Sequence, residues 1–275
     1  MGNNKDSLGD RMKGYELTSR AFLTRRIPVI IRIDGKAFHT FTKGLHKPFD
    51  PTLMKIMQET MRYLCANVQG CVFGYTQSDE ITLVLTDYTT IKTDAWFGYN
   101  VQKMASIAAS MATLEFNRLC YKEFQNSLTN EKSSNEKIDA GRRFALMEKQ
   151  FKACFDARCF SVPIDEVCNC LIWRQQDAIR NSIEAVGHAY FSQSQLNGKP
   201  CSEIQYMLFM EKCIDWNSFP SDCKRGAACY KMITEERMED PRNPDEYITV
   251  ERRRWRIDTD IPIFSQDRNY VERFL

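Results

Sequence analysis

Residues 27–33 (IPVIIRI) are an apolar, β-branched run that stops at Asp34-Gly35. Its shortness and its Val and Ile content predict a buried strand. Asp50-Pro51 then marks a helix start, with Asp at the N-cap and Pro at the first helical position. Leu53, Ile56, Met57, Met61 and Leu64 follow at helical spacing and carry that helix to about Asn67. Val72 to Tyr75 and Ile81 to Leu85 read as two strands, joined by a polar hairpin from Thr76 to Glu80. Phe97, Val101, Met104, Ala108 and Met111 mark a second amphipathic helix over about residues 95–122. Residues 126–141 are polar and aperiodic and read as a mobile loop. Arg158 to Val162 is a fourth strand, ended by Pro163. The order β-α-β-β-α-β is the ferredoxin-like arrangement, an α+β fold.

Beyond it the chain predicts a helix over Asp165 to Phe191, a linker at 192–200 and a helix from Cys201 to Ile214 capped by Ser202. A loop at 215–225 and strands at 226–234 and 247–257 follow. The chain thus divides into a core, 1–163, and a C-terminal α+β appendage, 164–275.

Composition excludes some classes. No apolar run approaches the roughly 20 residues needed to span a bilayer. The polar segment Met1 to Asp10 is not a secretory signal, and Asp6 stands where a myristoylation signal wants Ser or Thr. These features point to a cytoplasmic protein without a membrane partner. The net charge of +2 neither requires nor excludes a nucleic-acid partner, because a basic patch can be local. The 11 cysteines include no CxxC pair, and the spacings of Cys168/Cys170 and Cys154/Cys159 match no standard zinc site, so they read as free thiols filling apolar space, with a zinc site as the lesser alternative. There is no Gly-x-Ser-x-Gly and no evident Cys-His pair to supply a side-chain nucleophile.

Two acidic places carry the chemistry. Asp34 ends the first strand, and Asp79-Glu80 sits in the middle hairpin. The predicted sheet brings both to one edge. Carboxylates held close together repel unless a cation lies between them. Mg²⁺ takes oxygen ligands and leaves room for phosphates. Two such ions can activate an attacking hydroxyl and stabilise a leaving pyrophosphate. Gly35, without a side chain, lets the backbone approach a metal or phosphate. Each acidic turn taken alone is also an ordinary turn sequence, so these residues by themselves leave a metal site and a plain polar turn both open.

Four ordered blocks carry a family resemblance: RIDGKAFHTF (Arg32 to Phe41), YTQSDEITLV (Tyr75 to Val84), FDARCFSVP (Phe155 to Pro163) and IWRQQDAIRN (Ile172 to Asn181). Together they resemble the histidine-tRNA guanylyltransferase-like family over roughly residues 20–260. The resemblance implies a polymerase-type palm with two Mg²⁺ ions, held by Asp34, Asp79 and the Gly35 carbonyl, with Glu80 as a supporting carboxylate. It implies that Lys36, Ala37, Phe38 and His39 wrap a nucleoside triphosphate with backbone N–H groups. It also implies that Ser78, Lys47, Lys103, Arg158, Asn181 and Arg225 lie near phosphates. The substrates it implies are ATP, GTP and other nucleoside triphosphates together with tRNA, handled by a homotetramer.

The chain departs from the family at one motif. Members that add G to histidine tRNA carry H-I-N-N-L-Y-N, where this chain has Ile179 to Ala185 (IRNSIEA), with only Asn181 in register. That favours the branch that resembles a template-dependent 3′-to-5′ polymerase repairing tRNA 5′ ends over a histidine-tRNA-specific guanylyltransferase. A nucleotide cyclase shares the palm, but Ser78-Asp79-Glu80 lacks a Gly-Gly pair. A non-catalytic RNA-binding protein on a retired palm is the remaining rival, and the intact acids oppose it. The basic run ERRRWR offers Arg252, Arg253 and Arg254 as RNA contacts, or equally a solvated or subunit-facing strand.

Overall fold

The computed structural model describes residues 7–129, 147–240 and 243–275. The strands are β1 (Val29–Gly35), β2 (Cys71–Gln77), β3 (Glu80–Leu85), β4 (Phe155–Ser161), β5 (Ala227–Asp240) and β6 (Asn243–Asp258). They form one sheet in the order β4-β1-β3-β2-β5-β6, with every neighbouring pair antiparallel. The first four strands keep the ferredoxin-like order. The last two extend the same sheet beyond β2.

Alternation along the strands explains the two layers. Val29, Ile31 and Ile33 of β1 and Ile81, Leu83 and Leu85 of β3 face one side. There they meet α3 (Pro51–Asn67), through Ile56, Met57, Met61 and Leu64, and α4 (Val101–Thr129), through Met104, Ala108, Ala112 and Phe116. Each Val, Leu, Ile, Met or Phe side chain so buried contributes about 1.5–3 kcal/mol. The α3 start is as expected, because Asp50 caps it by accepting from the Leu53 N–H at 3.0 Å.

Ile30, Val84, Phe73 and Tyr75 face the other side, against Val167, Cys168 and Leu171 of α5 (Ile164–Tyr190) and against Ile261, Phe264, Tyr270 and Val271. Gln175 of α5 is buried and pins the C-terminal segment, accepting from Phe264 N–H (2.8 Å) and donating to the Pro262 carbonyl (2.9 Å). The second half of α5 leaves the sheet. It builds a satellite core with Phe191, Leu196 and, on α7 (Cys201–Lys212), Ile204 and Leu208.

Several boundaries differ from the sequence reading. Residues 96–99 form a separate 3₁₀ turn before α4, because Phe97 and Gly98 adopt positive φ. Helix α7 is preceded by Pro200 at its N-cap, not Ser202. The stretch 192–200 contains a short helix, α6 (Gln193–Leu196), closed by a capping box between Ser192 and Gln195. The stretch 215–225 contains a 3₁₀ turn at Trp216–Ser218 and α8 (Ser221–Arg225). Helix α4 runs on to Thr129, so it takes in the first part of the expected 126–141 loop, whose remainder lies outside the described residues. Strands β5 and β6 are longer than expected, because beyond Tyr230 they pair only with each other as a two-stranded ribbon. All eleven cysteines are free thiols. No helix among the described residues is long and apolar enough to cross a membrane.

Candidate active site

Strand register sets the acidic centre. Asp34, near the end of β1, lies opposite Glu80 on β3 and opposite Asp156 on β4. Directly opposed residues have Cα atoms about 4.5–5.5 Å apart, so three carboxylates line up across one sheet face. The β2–β3 connection is a two-residue turn, Ser78-Asp79, with Ser78 at φ +51°. The Gly35 N–H donates to the Asp79 carbonyl at 3.1 Å and ties this turn to the end of β1. The sequence order therefore does bring Asp34 and Asp79 to one edge.

The Asp79 carboxyl titrates above its ordinary value. Burial is the main cause; the Ser78 hydroxyl, donating at 3.0 Å, opposes it, while the Asp34 charge adds to it and His39 lowers it. A cation between the two acids would remove that repulsion. Among the described residues no three His, Cys, Asp or Glu side chains gather into a metal cage. Two carboxylates and a main-chain carbonyl fit Mg²⁺, which binds few protein oxygens and completes its shell with phosphate and water.

Glu80 differs from its expected place. It is the first residue of β3, buried, not part of the hairpin tip. Arg174 of α5 grips it with two bonds, Nε to Oε1 at 2.7 Å and Nη2 to Oε2 at 2.8 Å, and also donates to Asp177 Oδ2 at 2.9 Å. Burial still raises the Glu80 carboxyl above its ordinary value; Arg174 and then Arg32 oppose this, and Asp34 adds to it. Glu80 is thus half of a buried ion pair that couples α5 to this edge of the sheet. Sequence reasoning missed Arg174, although it stands inside the quoted IWRQQD block.

A cleft of about 710 Å³ opens beside this centre, between the β2–β3 turn, the 35–54 segment, the second half of α5 and α8. Of the expected site residues, Gly35, Ala37, Phe38, His39, Lys47, Ser78, Asp79 and Asn181 line it. Ala37 adopts φ +56° and starts α2 (Phe38–Phe41), whose first amides have no intrahelical acceptor and can serve a phosphate. Lys36 departs from expectation, since its amide donates to the Cys154 carbonyl at 2.8 Å. Phe38 offers backbone but packs its ring among Phe41, Phe116 and Phe155, with centroids 4.9, 5.4 and 5.1 Å away. That ring lies against the Gly35 Cα, and a Cβ at 35 would collide with it. The absent side chain at 35 therefore serves aromatic packing as well as any approach by a ligand.

The remaining expected cations lie elsewhere. Arg225 turns inward, donating from Nε to the Ile261 carbonyl (2.7 Å) and from Nη2 to Ser221 (2.9 Å), and its neighbour Lys224 lines the cleft instead. Lys103 stacks over Phe97 at the start of α4, while Thr113 is the residue of that helix that bonds Phe155 beside Gly35. At 1.5 Å per residue, Lys103 is about 15 Å away along the helix axis. Arg158 lies on β4, opposite Arg32, and pairs with Asp156 at 3.2 Å. Arg252, Arg253 and Arg254 lie on the β6 ribbon at the far side of the sheet, where alternation puts Arg253 on the face opposite the other two.

The cleft also holds residues the sequence did not single out. His46 and His188 join His39, so all three histidines of the chain line it. Asp222 lines it too, accepting from Gln58 Nε2 at 3.1 Å. On α5 the lining residues Ala178, Asn181, Ser182, Ala185 and His188 recur at helical spacing, a one-face pattern that could have been read.

Comparison with known proteins agrees with this geometry. The family model described as tRNAHis guanylyltransferase matches residues 9–163. A solved bacterial tRNA(His) guanylyltransferase (Thg1)-like protein in complex with ATP is 40% identical, covers 98% of each chain and superposes with a TM-score of 0.79. A solved bacterial protein of the same description in complex with GTP is 39% identical, with a TM-score of 0.74 over 98% of this chain and 99% of its own. The tRNA(His) guanylyltransferase of Saccharomyces cerevisiae is 25% identical over 213 residues, 72% of this chain and 80% of that protein. The carboxylate edge, the palm order of strands and these likenesses converge: the chain belongs to the tRNA(His) guanylyltransferase (Thg1) family and is a nucleotidyltransferase.

Proposed function

We propose that this enzyme adds nucleotides in the 3′-to-5′ direction to the 5′ end of tRNA, choosing each by pairing with the opposing strand. The observation that carries this reading is the Asp34–Asp79 pair, tied by the Gly35–Asp79 backbone bond at the wall of a triphosphate-sized cleft. Two Mg²⁺ ions held by Asp34, Asp79 and the Gly35 carbonyl would supply activation of the attacking oxygen and stabilisation of the leaving group. The chain's own residues position the reactants. Amides at the start of α2, with Lys47 and Ser78, would meet the triphosphate, and Asn181 would meet it from α5.

The chemistry has two steps, each an in-line displacement at phosphorus. In the first, a 5′-phosphate oxygen of the RNA attacks the α-phosphorus of ATP and pyrophosphate leaves, giving an adenylylated 5′ end. In the second, the 3′-hydroxyl of an incoming nucleoside triphosphate attacks the RNA 5′ phosphorus and AMP leaves. No side-chain nucleophile takes part.

Breadth of substrate follows from residue 179. Ile179 replaces the histidine of the family motif and packs in the satellite core with Ile183, Trp216 and Phe49, not in the cleft. A polar group that would penalise the wrong tRNA by going unpaired is missing there. The enzyme is read as a cytoplasmic homotetramer that repairs several 5′-truncated tRNAs. The test varies the base opposite the addition site. G opposite C and U opposite A support the reading, and G regardless of the opposing base restores a histidine-tRNA-specific guanylyltransferase.

A further inference from the structure

Helix α7 is apolar on both of its faces. Ile204 and Leu208 point into the satellite core, at 3% and 0% exposure. Tyr206, Phe209 and Met210 stand on the other side at 64%, 60% and 59% exposure, and the exposed Cys213 continues the row. The spacing i, i+3, i+4, i+7 puts these four residues on one stripe. A helix that is apolar all round belongs in an interior, whereas a surface helix turns polar residues outward. Tyr, Phe and Met are also the side chains enriched at protein interfaces.

The charges of α7 decide the kind of partner. Its acids are Glu203 in the first turn and Glu211 near the end, and the one cation in its sequence is Lys212 in the last turn. Two carboxylates beside the stripe disfavour RNA, whose phosphates seek Lys and Arg. A second copy of the chain fits instead. A two-fold axis crossing the helix between Met207 and Leu208 runs two copies of α7 antiparallel. It sets Tyr206 against the partner's Phe209, and Glu203 against the partner's Lys212. Positions 203 and 212 each lie about 7 Å along the helix from such an axis, so opposite charges meet at both ends. Both heads are exposed; Glu203 otherwise pairs with Lys199 one turn earlier, and Lys212 lies 5.2 Å from the Phe191 ring centroid.

We propose that the outer face of α7 is a self-docking surface, through which two copies of this chain pack antiparallel about a two-fold axis. Tyr206, Phe209 and Met210 form its dry centre, and Glu203 and Lys212 form reciprocal pairs at its rim. The inference rests on the homo-oligomer proposed for this enzyme and names one of its faces. A tetramer closed by two-fold axes needs at least two such self-complementary faces. The contact also has a route to the cleft. The inner side of α7 packs in the satellite core with Ile183, Phe49 and Trp216. Phe49 lines the cleft, and Trp216 Nε1 donates at 3.2 Å to the hydroxyl of Ser182, which lines it too. Docking therefore braces the α5 wall of the cleft from behind.

The experiment is sedimentation velocity of the full chain, over about a hundredfold range of concentration around the micromolar dissociation constant expected of a small interface. It compares wild type, Phe209→Asp, Glu203→Lys, Lys212→Glu and the double change Glu203→Lys/Lys212→Glu, with tRNA binding read alongside by fluorescence anisotropy. All three positions are exposed, so thermal melts serve to show that the variants remain folded. Phe209→Asp sets two carboxylates near the axis. It should leave a species of half the wild-type mass, with the dissociation constant raised at least about 100-fold. Each single charge reversal should raise that constant about 10-fold, and the double change should return it to within about 3-fold of wild type, because the pairs re-form with their charges exchanged. A wild type that stays monomeric throughout overturns the face and the homo-oligomer together. A wild type that assembles no better than Phe209→Asp overturns the face alone, and so does a double variant as weak as the two single changes combined. Loss of tRNA binding in Phe209→Asp at unchanged assembly would assign the stripe to RNA and overturn the proposal as well. Assembly is read without turnover, so failure of nucleotide addition counts against the proposed reaction and not against this face.

Discussion

Arg174→Met removes the cation that holds Glu80 and leaves a buried carboxylate beside Asp34. Both side chains of the pair are 8% exposed, and the two bonds are 2.7 and 2.8 Å long. Breaking such a pair from one side costs about 3–5 kcal/mol, because the remaining buried charge keeps only the more distant Arg32, at 4.0 Å. For a chain of this size that lowers Tm by about 10 °C. The pH dependence has a definite sign. Burial already raises Glu80 above its ordinary value, and Arg174 is the strongest force pulling it back. Without Arg174 the folded carboxyl rises further, so the folded state binds more protons than the unfolded one. Stability is then retained in acid and lost as pH rises through the folded value. Urea melts at pH 5.5 and pH 8 should show a larger defect at pH 8. Glu80→Gln in the Arg174→Met background should recover more than half of the loss, since a neutral amide replaces the stranded charge. A loss below about 1 kcal/mol, of the size of a surface pair, or strictly additive single changes would refute the claim that this pair braces the site.

Asp34→Asn and Asp79→Asn should each lower nucleotide addition at least about 10²-fold, as measured by pyrophosphate release. In metal-free protein, Asp79→Asn should melt no lower than wild type at pH 7, because burial and Asp34 raise the Asp79 carboxyl and its ionised form opposes folding above that value. Gly35→Ala should destabilise the fold by about 1–3 kcal/mol, since the new methyl meets the Phe38 ring; an unchanged melt would mean that the aromatic cluster yields freely. In a competition between truncated histidine tRNA and two other truncated tRNAs, preference for the histidine species should stay below about 100-fold, or 2.7 kcal/mol. A higher ratio would contradict the reading of Ile179.

Short apolar, β-branched runs and one capped helix announced the four-strand core, because β1 and α3 owe their form to local signals: Val and Ile density, and Asp50 before Pro51. The carboxylate edge was legible for the same reason, since once the strand order is known the register of Asp34 and the Ser78-Asp79 turn follows. What local pattern cannot carry is the direction of a long side chain. Arg225 and Lys224 are adjacent, and only tertiary packing decides that Arg225 bonds Ile261 while Lys224 lines the cleft. Lys103 reads as one more cation until the length of α4 sets it apart from Gly35. The Arg174–Glu80 pair joins residues 94 apart in sequence, a separation at which residue type says nothing about contact. The ribbon beyond Tyr230 was underestimated because two exposed, highly charged strands lack the apolar alternation by which a strand is recognised.

Addition at the 5′ end is decided by incubating a non-histidine tRNA lacking its first nucleotide with ATP, GTP and Mg²⁺, using a tRNA whose 3′ strand offers C at the vacant position, and then mapping the new 5′ end. One added G that restores the pair is expected, dependent on 5′ activation and abolished by Asp79→Asn. An unextended 5′ end, or extension at the 3′ end instead, would contradict it.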